Sequence, residues 1–423
     1  MMYDVAVIGA GVTGASFAYK VSKYAKTLLI ESKAYNVSIP ERVNIFAQHN
    51  KPYVDDVFWN DKEAFPRDFL QLNYKSEKSD GLISGKEFGP PQIGRITHTD
   101  VFLQKLINKA VDQGATTKFN EKISKVIRHK DYIELINNKG ESYETKLLVL
   151  ATGSHRFELQ KSLGFEAPDS FMGIYLISNA SEELLNQNFN FQYMFHLNPN
   201  ISKVGPFFFN VGKGRIFTGF MGEKESPLEL RNKLERILNN YQKIQEYIRG
   251  ISWNFDNVVT GEISKHPISR MTNDRVIVLG EAAGLVTSFF YEGMLCGLVS
   301  ADSASKIIKP LIENNSNFNS GELIKYDQEI KELLLNGYFR NGNACEYLFY
   351  GNQSSLKSIW NAYTDMLVND KTARKYVYEV IMLQDLKKYS TDNDRWVGER
   401  LFATLPFLSK ATLWPKFLKA MNF

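Results

Sequence analysis

The stretch that decides the fold runs Val5-Ala6-Val7-Ile8-Gly9-Ala10-Gly11-Val12-Thr13-Gly14. The four apolar residues read as a buried parallel strand, because a strand covered on both faces loses its polar alternation. Glycines follow at Gly-x-Gly-x-x-Gly spacing. Gly9 permits a tight turn, Gly11 lets a pyrophosphate approach the backbone, and Gly14 lets a helix pack close to the strand. Residues 15–23 continue as a helix and 27–30 as a second strand that ends at Glu31. Such a strand–helix–strand unit of about 30 residues suits a right-handed parallel crossover.

Glu31 closes the second strand, where an acid binds the ribose hydroxyls of an adenosine and disfavours a 2′-phosphate. A second motif, Leu148-Val149-Leu150-Ala151-Thr152-Gly153, delivers a buried strand into a small-residue turn. A third, Arg275-Val276-Ile277-Val278-Leu279-Gly280-Glu281-Ala282-Ala283-Gly284, brings a glycine and an acid to a helix start. Free backbone N–H groups at such a start, with a carboxylate beside them, suit a phosphorylated polyol. The stretch continues through Thr287-Ser288-Phe289-Phe290-Tyr291-Glu292-Gly293 into the small residues Gly297, Ser300, Ala301, Ser303 and Ala304. No second Gly-x-Gly-x-x-Gly follows a strand later in the chain.

Composition sets the wider frame. A chain of 423 residues suits two or three domains. A net charge of +4 without a basic stripe points away from nucleic acid. The two cysteines, Cys296 and Cys345, form neither a metal-ligand spacing nor a disulfide framework, so a reducing, cytoplasmic setting is expected. No leader is read ahead of Val5, and no apolar run is long enough to span a membrane. The 29 Phe and 21 Tyr serve core and, in part, an apolar pocket.

The expected fold class is α/β: a Rossmann-like nucleotide-binding domain, an inserted antiparallel-sheet α+β substrate domain and a helical C-terminal region. The nucleotide-binding domain takes residues 1–75, 92–165 and 260–320, the substrate domain 76–91 and 166–259, and the helical region 321–423. Residues 36–91 read as irregular, 100–114 as a helix, and 122–128 with 132–137 as a hairpin. Strands are expected over 189–195, 205–211 and 215–222, a polar helix over 227–247, and helical character over 281–309.

The three motifs in this order resemble the flavoprotein class typified by p-hydroxybenzoate hydroxylase. Within it the chain is most similar to the geranylgeranyl reductase family of FAD-dependent oxidoreductases, over about residues 3–310. The best stretch is Gly261-Glu262-Ile263-Ser264-Lys265-His266-Pro267-Ile268, then the third motif, then Tyr291-Glu292-Gly293. The family usually has Gly-Asp at Gly280-Glu281 and Gly-Glu-Gly at Tyr291-Glu292-Gly293. Its aromatic substrate motif survives in outline as Tyr193-Met194-Phe195-His196-Leu197-Asn198-Pro199.

The resemblance implies FAD as cofactor. The set expected to hold it is Gly9, Gly11, Thr13, Gly14, Glu31, Ser32, Arg42, Arg95, Ala151, Thr152, Gly153, Gly280, Glu281, Gly284, Val286, Gly293 and Met294. Tyr291, Glu292 and Gly293 are the candidates to wall the flavin face, and no catalytic residue is assigned. Implied too are hydride transfer from reduced flavin to a carbon–carbon double bond of an apolar, isoprenoid-type lipid, and electrons from NAD(P)H or a ferredoxin-type carrier. Two alternatives stay open: a flavin monooxygenase of a small aromatic or apolar substrate, and a flavin-binding protein without catalysis.

His49, His98, His129, His155, His196 and His266 form no metal-spaced pair, so no metal site is expected. His266 reads as a domain-junction residue and His196 as a weaker acid candidate. In the tail, residues 405–421 mix aromatic rings with lysines. Packing on the tail's own domain is the favoured reading; contact with a membrane surface is the other. Pro406 and Pro415 weaken a continuous helix there.

Overall fold

Four apolar strands lie side by side and parallel at the centre of the molecule. Met2–Ile8 pairs with Thr27–Ile30 on one side and Ser142–Leu150 on the other, and Ser142–Leu150 pairs with Val276–Val278. The computed structural model describes residues 2–154, 157–190 and 192–422. Thr116–Lys118 and Thr272–Asn273 flank the centre, and the hairpin Ile123–Arg128 with Ile133–Asn137 joins through Ser142–Leu150, making eight strands. Val5, Val7, Leu148, Val149 and Ile277 are wholly buried, as a doubly covered sheet demands.

Helix Val12–Val21 packs between Thr99–Asp112 and Met294–Glu313. The approach of Met294–Glu313 rests on small residues: a Cβ on Gly297 would overlap Thr13 Oγ1, and Ser300, Ala301 and Ala304 are buried along the helix. These substitutions of small for large side chains let two helices meet backbone to backbone beneath the nucleotide-binding turn.

A second sheet of seven strands runs in the order Val259–Lys265, Asp169–Asn179, Arg215–Met221, Phe207–Val211, Tyr193–His196, Gln71–Lys75, Asp80–Ser84. Alternation along a strand splits its aromatics between two faces. Phe207, Phe209, Ile216 and Phe220 face a core shared with helix Pro227–Asn240. Tyr193, Phe195, Phe208 and Phe217 face the other way, toward the helical C-terminal region. Helix Pro227–Asn240 starts where its chemistry dictates, at a Ser226–Glu229 capping box with Pro227 in the first turn.

The C-terminal region is helical: Ser320–Ile330, Lys331–Phe339, Arg340–Phe349, Leu356–Asn369, Lys371–Met382, Thr391–Thr404 and Phe407–Ala420. Lys331–Phe339 is wound as a π-helix, a form that recurs at functional positions. Its Tyr338 lines the cavity described below.

Several expectations need correction. Residues 36–91 are not irregular: Val43–Ala47 and Arg67–Phe69 pair with Gly94–His98, while Gln71–Lys75 and Asp80–Ser84 extend the second sheet. Apart from the hairpin of Gln71–Lys75 with Asp80–Ser84, their partners lie further along the chain, so local composition hid them. Strands Gln71–Lys75 and Val259–Lys265 therefore belong to the second sheet, although the boundaries read at 75 and 260 put nearly all of both in the nucleotide-binding domain. Residues 182–189 form a helix, capped by Ser181, and the strand starts only at Tyr193. Residues 284–293 are a loop, and the long helix starts at Met294. Finally, Phe407–Ala420 is one continuous helix with Pro415 inside it.

Candidate active site

The three sequence motifs converge because their strands are neighbours in register. Ile8 lies opposite Leu150 and Ile30, and Leu150 lies opposite Val278, so all three turns emerge at one carboxyl edge of the sheet. Ligands of open parallel sheets bind at such an edge.

The glycines there have different reasons to exist. Gly9 has φ 105°, and a Cβ on it would overlap the carbonyl of Ala151. A Cβ on Gly14 would overlap the carbonyl oxygen of Gly9. Gly11 is different. Its φ of −69° suits any residue, and a Cβ would meet nothing within 4 Å. Packing does not require glycine there, but close approach of a phosphate to the amides that open helix Val12–Val21 does. That open cradle fits a dinucleotide.

Glu31 is held ready beside it. One carboxylate oxygen accepts from the Ala10 amide at 3.0 Å, and the other accepts from the Lys33 amide at 2.9 Å and from Ser32 Oγ at 3.2 Å. Glu281, from the third motif, accepts from the Ser264 amide at 3.1 Å, and burial pushes its carboxyl above the usual range. Its longer arm reaches toward Gly153, where the added Cβ would stand 3.9 Å from the carboxylate.

Loop 284–293 folds back on itself. The Thr287 amide donates to the Glu292 carbonyl at 3.2 Å, and the Glu292 amide donates to Thr287 Oγ1 at 3.1 Å. Tyr291 takes φ 57°, and its hydroxyl donates to the Val204 carbonyl at 2.6 Å, tying the loop to the second sheet. Glu292 accepts from the Leu295 amide at 3.0 Å at the start of helix Met294–Glu313. Its carboxyl borders the cavity deep inside the protein, and desolvation pushes it upward.

One cavity of about 1780 Å³ joins these parts. Gly9, Gly11, Thr13, Glu31, Ser32, Arg42, Ala151, Thr152, Gly153, Glu281, Val286, Tyr291, Glu292, Gly293 and Met294 all border it. Three residues of the expected set stand behind the wall instead. Gly14 packs helix on turn, the Gly280 amide donates to Ser300 Oγ at 3.0 Å, and Gly284 lets the chain pass the His266 carbonyl. Arg95 is corrected outright. It sits on strand Gly94–His98, buried with its guanidinium 5.9 Å from the Trp59 ring and away from the cavity. Arg42 does reach it, donating from Nε to the Tyr175 hydroxyl at 3.4 Å.

His196 is corrected too. Alternation on strand Tyr193–His196 sends Tyr193 and Phe195 to the cavity and His196 to the opposite face. Burial there lowers its pKa to about 4, so it stays neutral. His155 lies outside the described residues.

The cavity continues from loop 284–293 into an aromatic arm. Phe195 stacks on Phe290 with centroids 4.8 Å apart, and Tyr74 stacks on Phe195 at 5.5 Å. Sequence reading assigned the aromatics in part to an apolar pocket, and among the described residues of 189–222 Tyr193, Phe195, Phe208 and Phe217 border it. It missed the opposite wall, which the C-terminal helices supply through Tyr338, Phe349, Tyr363, Tyr376, Val380 and Leu401. Helical spacing of apolar residues in 338–401 signalled a buried face, but not what it faced.

Comparison with known proteins follows the same lines. Residues 3–169 match the pyridine nucleotide-disulphide oxidoreductase family. The digeranylgeranylglycerophospholipid reductase of Methanococcus vannielii is 24% identical over 343 residues, 78% of this chain and 82% of the relative. A geranylgeranyl bacteriochlorophyll reductase-like protein of Thermoplasma acidophilum superposes with a TM-score of 0.69 at 19% identity, over 100% of this chain and 98% of its own. The protein is an FAD-dependent oxidoreductase, and over most of its length it is similar to these reductases. The oxidoreductase also shares its fold with a variant of the halogenase PltM in complex with FAD, with a TM-score of 0.68 at 12% identity over 99% and 96% of the two chains. The fold class and the cofactor expected from sequence are thus borne out.

Proposed function

We propose that the oxidoreductase saturates carbon–carbon double bonds of an isoprenoid lipid. The observation that carries this reading is the continuity of the cavity from Gly11 and Glu31 to an arm walled by stacked aromatic rings. A small polar substrate would leave that arm unfilled, whereas a hydrocarbon chain gains about 25 cal/mol for each Å² it removes from water.

FAD, once bound and reduced, would supply the hydride. The chain does the rest. Gly11 and the helix behind it take the diphosphate, Glu31 takes the adenosine ribose, and Glu281 takes hydroxyls of the ribityl chain. Loop 284–293 walls the flavin face, with Tyr291 fixing it to the second sheet. Glu292, whose carboxyl is pushed up by burial, is the acid placed to hold the proton for the second carbon. Phe195 and Phe290, stacked on each other, form one side against which the isoprenoid chain lies.

Electrons come from transiently bound NAD(P)H or from a ferredoxin-type carrier, and the setting is cytoplasmic. Among the described residues no helix is long and apolar enough to cross a membrane. Helix Phe407–Ala420 buries Leu413 and Phe417, leaves Phe407 83% and Leu408 81% exposed, and carries lysines without an acid. It is the surface through which the protein meets an anionic membrane that holds its substrate.

The test is anaerobic. Dithionite-reduced protein is mixed with a geranylgeranyl-bearing lipid and the product weighed by mass spectrometry. A gain of two hydrogens per double bond is expected. An unchanged lipid, with NAD(P)H-dependent oxygen uptake on an aromatic substrate, would overturn the reading.

A further inference from the structure

The aromatic arm carries one feature that a plain hydrocarbon does not explain. Among the described residues after 300, Asp394 is the only charged side chain on the cavity wall. It sits in the first turn of helix Thr391–Thr404, and Val377, Val380, Val397 and Leu401 border the same arm.

Its two oxygens are treated differently. Oδ1 accepts from the Tyr376 hydroxyl at 2.7 Å and from the Tyr389 hydroxyl at 3.0 Å. The Asn341 amide in turn donates to the Tyr389 hydroxyl at 2.8 Å, so the group is braced from three helical segments. Oδ2 is buried and has no hydrogen-bonding partner among the described residues. A buried acceptor left unpaired costs about 1–3 kcal/mol. A hydrocarbon lying against it would keep that cost, while a ligand that donates a hydrogen bond would remove it.

The surroundings select the donor. Lys33, Arg42 and Lys122 border the cavity only from the segments around the nucleotide cradle, and the helical wall contributes no cation. A phosphate in this arm would meet a carboxylate with nothing to neutralise it. An ammonium would have to be desolvated among apolar and aromatic walls, which costs several kcal/mol. A hydroxyl carries the donor at the least desolvation cost. The neighbouring titratable groups add no charge: burial lowers His49 to about 4 and raises Tyr338, Tyr376, Tyr389 and Cys345.

We infer that Asp394, braced by Tyr376 and Tyr389, is a recognition site for a hydroxyl group carried on the isoprenoid chain, and that it excludes a phosphorylated end from this arm. The inference rests on the isoprenoid reading above and narrows it. The substrate is an amphiphile whose uncharged, hydroxyl-bearing end enters the helical arm.

Binding of farnesol and of farnesyl methyl ether to the oxidised, FAD-loaded protein tests this by calorimetry. The ether keeps the chain and the acceptor oxygen and lacks only the donor. The expected result is about tenfold tighter binding of the alcohol, the scale of one hydrogen bond to a buried carboxyl. Asp394→Leu should abolish the preference and bind the ether at least as well. Asp394→Asn, which keeps the shape should the leucine variant not fold, should reduce it severalfold. Equal binding of the two probes to the wild-type protein, or a preference of undiminished size in either variant, overturns the assignment. Binding of neither overturns it together with the isoprenoid reading. An Asp394-dependent preference without saturation of any double bond upholds the recognition site and sinks only the reductase reading.

Discussion

Phe195 of the second sheet stacks on Phe290 of loop 284–293, with ring planes 15° apart and centroids 4.8 Å apart. Neither ring is near the other in sequence, yet both border the passage from the nucleotide cradle to the helical arm. Phe290→Ala removes one wall of that passage. Because Phe290 is half-buried, the expected loss of stability is about 2 kcal/mol, below the range for a fully buried ring. The KM for an isoprenoid substrate should rise severalfold while FAD affinity stays unchanged. Steady-state kinetics beside a flavin titration check this, and equal losses in both would contradict it.

Gly11 and Gly14 separate ligand approach from packing. Gly11→Ala adds a methyl to open space at an ordinary φ, so the thermal midpoint of flavin-free protein should not fall. FAD affinity should drop by about tenfold or more, since the methyl stands where the diphosphate meets the backbone. Gly14→Ala should lower the midpoint of the flavin-free protein, because its methyl collides with the Gly9 carbonyl. Equal stability losses in the two variants would remove the assignment of Gly11 to the cofactor.

His266 and Glu346 tie the helical region to the second sheet. His266 Nε2 lies 2.7 Å from one Glu346 oxygen and Nδ1 lies 2.9 Å from Asp169, while Lys265 holds the other Glu346 oxygen. The Glu346 hydrogen bond and ion pairing raise His266 above 6.5, and His266 with Lys265 lowers Glu346 from 4.5 to about 2. Stability from the raised histidine is complete below pH 6.5 and is lost as pH climbs through its folded value. Stability from the depressed carboxyl is complete above pH 4.5 and is lost as pH falls toward about 2. The difference in thermal midpoint between wild type and Glu346→Gln should therefore be largest between pH 4.5 and 6.5. His266→Asn, with a residue tolerant of φ 58°, should remove the decline on the alkaline side alone. A midpoint difference flat across pH 4 to 8 would refute the coupling.

The exposed start of helix Phe407–Ala420 is the predicted membrane contact. Phe407→Ser with Leu408→Ser should cut sedimentation with phosphatidylserine-containing vesicles severalfold and leave turnover of detergent-dispersed substrate unchanged. These side chains are largely in water, so folding should shift by no more than about 0.5 kcal/mol. Undiminished vesicle binding would show that the helix serves only to pack against its neighbours.

Sequence alone determined the cradle. Val5 to Gly14, the acid at Glu31 and the third motif around Gly280 are contiguous strings, because a turn that admits a diphosphate is built from consecutive residues with fixed steric demands. The resemblance that those strings carry implied an FAD-dependent oxidoreductase. Tertiary structure decided the rest. It joined Gln71–Lys75 and Tyr193–His196 in parallel, turned His196 and Arg95 away from the cavity, and folded helices from residues after 330 over Phe290. Those outcomes depend on pairing and packing between segments from tens to more than a hundred residues apart, where each residue's face is set by its partner and not by its neighbours in the chain. For that reason the cofactor's cradle was legible as words, while the aromatic arm and Asp394 within it became visible only when the chain closed around them.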